Sequence, residues 1–521
     1  MLFNSYAFIL GFLPVTFFVF FALARKSHRA AAAWLALASF FFYGWWSPKY
    51  ILLLAFSIVV NFNVGTGIQR LLGSGRPRHA KGMLVVGVAF NLLLLGYFKY
   101  ANFFVDNLNH ALGAGWTLAE IILPLGISFY TFTQIAYLAD AAQGKVREYN
   151  LVHYALFVTY FPHLIAGPIL HHAEMMPQFA RPETYRMRWE NIAVGLTIFF
   201  IGLFKKTVLA DGIAPHSSTV FDAAAAGTAL PLLDAWGGAL AYTLRLYFDF
   251  SGYCDMAIGL SRLFGINLPL NFNSPYKAQN ISDFWRRWHM TLSRFLRDYL
   301  YIPLGGNRKG GGRRYANLLV TMLLGGLWHG ANWTFVIWGG LHGLYLVVNH
   351  AWQALRQRLG WNQGRGSRGG RIAAQALTFL AVVVAWVFFR ATSIDAALIV
   401  LKGLAGLNGI EMPFKWLAGW GNAGEWLVQH GVRFRDSPTF AGAPLLAWIA
   451  AGLAIVWLAP NTQQIMERFD PALDYRPEPR PAMPYLRWQP TRRWAVAMTI
   501  VAYFGMLYMS SGFSEFIYFQ F

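Results

Sequence analysis

The chain has 521 residues, 56% of them hydrophobic and 13% charged, with a formal net charge of +20. A soluble chain carries about 25% charged residues, so the composition excludes an ordinary soluble enzyme and points to a membrane protein with many spans. The basic residues stand in short stretches between apolar runs, at 25–29, 76–81, 181–188, 308–314 and 356–371, as the positive-inside rule asks of cytoplasmic loops and not as a nucleic-acid partner needs.

Many apolar runs reach the roughly 20 residues that cross a bilayer as helix. Alternating strands of the outer-membrane barrel type are absent, so helices are the expected spanning element. The first run, 3–24, has no positive charge before it and is followed directly by Arg25 and Lys26. It is predicted to be an uncleaved span that starts outside and ends in the cytoplasm, although Ala22-Leu23-Ala24 weakly resembles a signal-peptidase site.

Further spans are predicted at about 31–45, 49–68, 83–104, 118–139, 151–170, 190–210, 236–262, 316–330, 332–350, 373–390, 443–459 and 494–511, with a shorter stretch at 394–407. Glycine, proline and polar residues interrupt several of them. These predict broken or re-entrant helices, tolerated at membrane depth only where buried in protein or lining a water-filled cavity. The last span follows Arg492 and Arg493, so both termini are expected outside, with an even number of crossings, roughly twelve by span length.

Residues 362–371 read as a flexible basic loop and 470–484 as a proline-rich loop. Residues 409–441 are a mixed polar and aromatic segment on the side opposite the basic loops. There is no internal repeat, which weakens an inverted-repeat transporter. The chain is expected to form one membrane domain, 1–521, with a core at about 115–350 and a final span and tail at 494–521.

The most polar stretch at apparent membrane depth is 271–314. Its helix carries Arg286, Arg287, His289, Arg294, Arg297 and Asp298 together with Phe284, Trp285, Trp288, Phe295 and Tyr299. A central charge facing lipid costs about 2.5 kcal/mol or more, so this helix must be buried, line an aqueous cavity or lie at the interface. The second stretch is "GGLWHGANW", 325–333, which sets His329 between long apolar runs. Gly325 and Gly326 permit close helix approach or a kink, and Gly330 and Asn332 suggest a break. An intramembrane histidine is by default a functional candidate; a hydrogen-bonded bundle histidine is the plainer alternative.

Together, "FWRRWHMTLSRFLRDYLYIPLGGNR" and the later "GLWHGANWTFVIWGGLHG" closely resemble the membrane-bound O-acyltransferase family, in its bacterial polysaccharide branch typified by alginate O-acetyltransferase. The resemblance extends from "MLFNSYAFILGFLPV" through "FPHLIAGPI" (161–169) and "YFDFSGYCDMAIGL" (247–260) to "FIYFQF" (516–521). It implies an all-α fold, a ring of tilted transmembrane helices around a central tunnel with re-entrant helices. It implies His329 as principal catalytic residue and His289 as the second polar position. It further implies acetyl-CoA entering from the cytoplasm of a bacterial inner membrane, no other cofactor, and an acetyl group destined for an exported polysaccharide with help from periplasmic acetyltransferase partners. The acceptor, whether alginate, cellulose or peptidoglycan, is not legible. Transfer of D-alanine or another acyl group to a cell-envelope polymer, and a non-catalytic transporter, are the alternatives.

The chemistry agrees with that implication. Acyl transfer to a hydroxyl needs a base and stabilisation of an oxyanion, and histidine titrates near neutrality. A thioester is already activated and needs no metal. Arg308, Lys309, Arg313 and Arg314 are candidates for the CoA phosphates, though topology alone accounts for them. Trp328 and Asn332, beside the histidine, are further substrate-binding candidates. Asp249, Ser251 and Asp255 do not share one helix face and read as structural. His163, His171 and His172 lack the cysteine or carboxylate that would complete a metal site; the family commonly has a different residue where His171 and His172 stand. The single cysteine, Cys254, reads as a small packed residue. The terminal "FIYFQF" reads as an interfacial aromatic anchor, with Tyr518 a possible acyl relay.

Overall fold

The computed structural model of the protein describes residues 1–119, 121–146, 150–361, 367–473, 475–477 and 483–510. Four helices open the chain: α1 (Ala7–Ala24), α2 (His28–Gly44), α3 (Lys49–Gly73) and α4 (Pro77–Leu112). Each boundary has a local cause. The Ser27 hydroxyl accepts the Ala30 N–H at the start of α2, and Pro77 opens α4, where no amide donor is missed. Inside α4, Gly96–Tyr100 widens to a π turn. The helices α3 and α4 are clamped by buried amides: Asn91 Nδ2 donates to Asn61 Oδ1 at 2.6 Å and Asn61 Nδ2 to Asn91 Oδ1 at 3.2 Å. Side-chain hydrogen bonds of this kind hold helices together where lipid supplies no hydrophobic drive.

The next elements are α5 (Ile127–Ala142), the short α6 (Leu151–Thr159), the long α7 (Trp189–Ala225) and α8 (Leu232–Leu263). The sequence expectation fails in two places here. The runs 118–139 and 151–170 are not continuous crossings: helix begins only at Ile127 and ends already at Thr159. The chain from Tyr160 to Leu170 is irregular yet buried. It survives because side chains take its amides: Phe161 N–H donates to Ser39 Oγ at 3.1 Å and Ile169 N–H to Thr291 Oγ1 at 2.9 Å.

Helix α8 is buried almost end to end and crosses α7 at a glycine contact, where a Cβ on Gly202 would stand 2.6 Å from Gly252 O. Beside it lie the charges of this pair. Lys206 meets Asp249 at 2.7 Å and Asp211 at 2.8 Å, and Lys205 meets Asp255 at 2.8 Å. Asp255 also accepts from Thr462 and Gln463. Asp249 and Asp255 therefore act as structural ion-pair partners, as charges within a bundle must.

After two short helices, Ile281–Trp285 and α9 (Met290–Leu296), follow α10 (Gly310–His329), α11 (Trp333–Arg358) and α12 (Arg368–Arg390). The stretch 394–407 holds only the short helix Ile394–Leu404. Residues 409–441 contain a parallel pair, β1 (Ile410–Met412) and β2 (Val432–Phe434). Glu411, buried on β1, meets Arg435 at 2.7 Å and Arg433 at 3.1 Å. The chain ends with α13 (Ala443–Leu458) and α14 (Arg492–Leu507).

Among the described residues, five helical stretches are long and apolar enough to cross a membrane by themselves: α1, α3, α4, α7 and α12. Helices α8, α10 and α11 have crossing length but carry polar residues inward. The protein is an all-α, multi-pass membrane bundle.

Candidate active site

His289 is the residue before α9 and has a left-handed backbone, φ 43° and ψ 53°. A non-glycine residue there is held by its surroundings against a cost of order 1–3 kcal/mol. Asn271 supplies much of that restraint. Its backbone oxygen accepts Met290 N–H at 3.0 Å. Its side-chain Oδ1 accepts Thr291 N–H at 3.2 Å and the Thr291 hydroxyl at 3.0 Å. The same oxygen stands 3.1 Å from His289 Nδ1. An oxygen that accepts must be met by a donor, so Nδ1 carries the hydrogen and Nε2 the lone pair of a neutral ring. Phe250 meets the imidazole edge-on at 4.9 Å.

His329 is the last residue of α10, and Gly330 then turns the chain to an extended conformation. Helix α11 starts at once, capped by Asn332, whose Oδ1 accepts Thr334 N–H at 2.9 Å. The two helices fold back on each other through Gly326 and Gly339: a Cβ at Gly326 would lie 2.2 Å from Phe335 O, and one at Gly339 2.2 Å from Met322 O. Gly326 is thus the close-approach residue, while Gly325 meets only Leu296. This hairpin delivers His329 into a cage of Trp328, Trp338 and Phe389, with ring centroids 4.9–5.2 Å away. His289 and His329 are 40 residues apart in sequence, and their ring centroids stand 6.4 Å apart.

A cavity of about 510 Å³ reaches His329 and Trp328. Met1, Leu2, Ser5, Trp45, Trp46 and residues 123–129 contribute most of its wall. Met1, Leu2 and Ser5 stand just before α1, Trp45 and Trp46 just after α2, and residues 123–129 form the loop before α5 and its first turn. These α1 and α2 ends lie away from the basic stretch 25–29, so the cavity opens on the side opposite it.

The structure brings His329, His289 and Trp328 together and leaves the other sequence candidates apart. Arg308, Lys309 and Arg313 are exposed at the start of α10, roughly 25–30 Å of helix from His329 at 1.5 Å per residue. Asn332 is occupied as a cap and donates to Thr392 O at 3.1 Å. Tyr518 and the whole of 516–521 lie outside the described residues. His163 Nε2 donates to Phe157 O at 2.9 Å. His171 caps the helix His172–Ala180 and meets the Tyr299 hydroxyl at 3.2 Å. That hydroxyl donates to Asp140 at 3.0 Å.

Three residues near the site escaped the sequence reading. Lys99, in the π turn of α4, lines the cavity and donates to Trp328 O at 2.6 Å. The Tyr100 hydroxyl donates to Leu327 O at 2.8 Å. His342 is fully buried on α11 beside Trp338, Trp285 and Phe284. A lone lysine inside an apolar run was the available signal for the first.

A helical membrane bundle with two neighbouring imidazoles, one of them in the wall of a cavity, defines the class, a multi-pass membrane protein with a buried histidine pair. The sequence model of MBOAT, the membrane-bound O-acyltransferase family, matches residues 37–363, and the chain belongs to that family. It is an acyltransferase. A peptidoglycan O-acetyltransferase of Helicobacter pylori is 47% identical over 79% of this chain and 81% of its own length. A probable alginate O-acetylase of Pseudomonas aeruginosa is 44% identical over 76% of this chain and 73% of its own. A teichoic acid D-alanyltransferase of Streptococcus thermophilus is 29% identical over 47% of this chain and 60% of its own.

Proposed function

We propose that this protein is an O-acetyltransferase of the bacterial inner membrane. It takes acetyl from cytoplasmic acetyl-CoA and passes it on for O-acetylation of an exported polysaccharide, with periplasmic acetyltransferases as partners. The basic loops face the cytoplasm and both termini the periplasm. The reading of the reaction as acetyl transfer is supported by the names of two of the relatives above 40% identity, a peptidoglycan O-acetyltransferase and a probable alginate O-acetylase.

His329 acts as general base. It takes the proton of the attacking hydroxyl as the oxygen bonds to the thioester carbonyl. The tetrahedral oxyanion then collapses, the carbon–sulfur bond breaks, and the imidazolium returns the proton to the departing thiolate. His289, held by Asn271 through Nδ1–H, positions the acetyl group; it polarises the carbonyl only when Nε2 is protonated as well. The observation that carries this reading is the 6.4 Å between the two rings, with His329 in the wall of the cavity. Two groups each about 3 Å from one reacting centre stand up to roughly 6 Å apart. The thioester is activated already, so the reaction calls for no metal.

The test is the O-acetyl content of the exported polymer in cells carrying His329→Ala at the wild-type membrane level. The reading expects none above background. Acetylation at the wild-type level contradicts it.

A further inference from the structure

We infer that Lys99 is a positioning residue for acyl transfer, acting through His329; this rests on the reading of His329 as the base. Lys99 interrupts the apolar face of α4 inside the π turn Gly96–Tyr100. Wide turns of this kind recur at functional sites. Among the described residues no carboxylate forms an ion pair with it. Its ammonium instead meets three oxygens: Trp328 O at 2.6 Å, His329 O at 3.2 Å and Ser128 Oγ at 3.2 Å. The neighbouring Tyr100 hydroxyl takes Leu327 O at 2.8 Å. The last three carbonyls of α10 are thus all capped by two consecutive residues of another helix.

The end of α10 explains why a cap from elsewhere is needed. The last carbonyls of a helix have no partner within it. Many helices solve this with a left-handed residue that turns back onto them. Here Gly330 is extended, φ −165° and ψ 150°, and the chain leaves directly for α11. A cation at a helix C-terminus also meets the negative end of the peptide dipoles. The ammonium therefore fixes the turn that carries His329 and so fixes where the imidazole enters the cavity.

The same geometry limits what Lys99 does. An ammonium has three hydrogens, and three acceptors are in place. It lies in the cavity wall, with Nζ 5.8 Å from the Trp328 ring centroid. Its Nζ stands beside the cavity, but its hydrogens are spent on the protein.

The experiment measures CoA release as the purified full chain hydrolyses acetyl-CoA, water taking the acetyl in place of the acceptor hydroxyl, with kcat, KM and unfolding midpoint for wild type, His329→Ala, Lys99→Met, Lys99→Arg and Tyr100→Phe. Displacements near 1 Å cost on the order of 100-fold in rate. Lys99→Met is expected to lose about that much in kcat, with KM and unfolding midpoint held, and Lys99→Arg to recover most of it. Wild-type kcat in Lys99→Met, or a loss that follows the unfolding midpoint and is not rescued by arginine, overturns the inference. If Lys99→Met does not accumulate, Tyr100→Phe decides. It keeps the ammonium and removes one cap, so a lower kcat at unchanged KM supports the inference and wild-type kcat overturns it. An active His329→Ala would instead sink the reading of the base, whatever Lys99 does.

Discussion

At the scale of single residues, the site rests on how each imidazole is held. Asn271 accepts from His289 and Thr291 with one oxygen, so Asn271→Ala removes the restraint on the ring and strands the Thr291 amide. Partners that orient a functional histidine cost about 10–100-fold when removed from metal sites, and the same order is expected here in kcat. Asn271→Asp keeps the acceptor and should retain more activity than alanine; equal activities would mean that the bond to Nδ1 does not orient the ring. The two histidines were legible in the sequence because each sits in a polar or glycine-broken stretch inside apolar surroundings. Lys99 was not, because its partners Trp328 and His329 lie more than two hundred residues away, and no local pattern encodes them.

At the scale of elements, the hairpin α10–α11 is what delivers His329, and it depends on backbone contact at Gly326 and Gly339. A methyl at Gly326 would meet the Phe335 carbonyl at 2.2 Å, and overpacking costs typically about 1–3 kcal/mol. Gly326→Ala is therefore expected to lower the thermal midpoint, and Gly325→Ala, which meets only Leu296 at 3.1 Å, much less. Equal midpoints would show that the crossing is not tight. Helix existence was readable from apolar length. The broken runs 118–139 and 151–170 were not, because their irregular backbone is satisfied by distant side chains: Ser39, Thr291 and Tyr50, whose hydroxyl donates to Ile122 O at 2.8 Å. Hydropathy alone reads such apolar, hydrogen-bonded chain as helix.

At the scale of the whole molecule, orientation follows from the basic loops, and one cysteine makes it measurable. Cys254 is buried, so a Cys254→Ala chain gives a clean background for single cysteines at Lys26 and Ser47. The proposed orientation expects Ser47→Cys to react with a membrane-impermeant thiol reagent from the periplasm and Lys26→Cys only after the membrane is opened. The reverse pattern would invert the topology and put the cavity on the donor side. The fold class was legible from composition and charge placement, and the cavity was not, because its wall gathers the N-terminus, the α2 end and residues 123–129 from separate parts of the chain. The central claim is that two imidazoles joined only by the fold perform acyl transfer. Its most direct test is the rate at which purified protein releases CoA from acetyl-CoA by hydrolysis, with water as the acetyl acceptor. Steady release by the wild type, background release by His329→Ala and an intermediate rate for His289→Ala are predicted; release by His329→Ala at the wild-type rate would contradict the account.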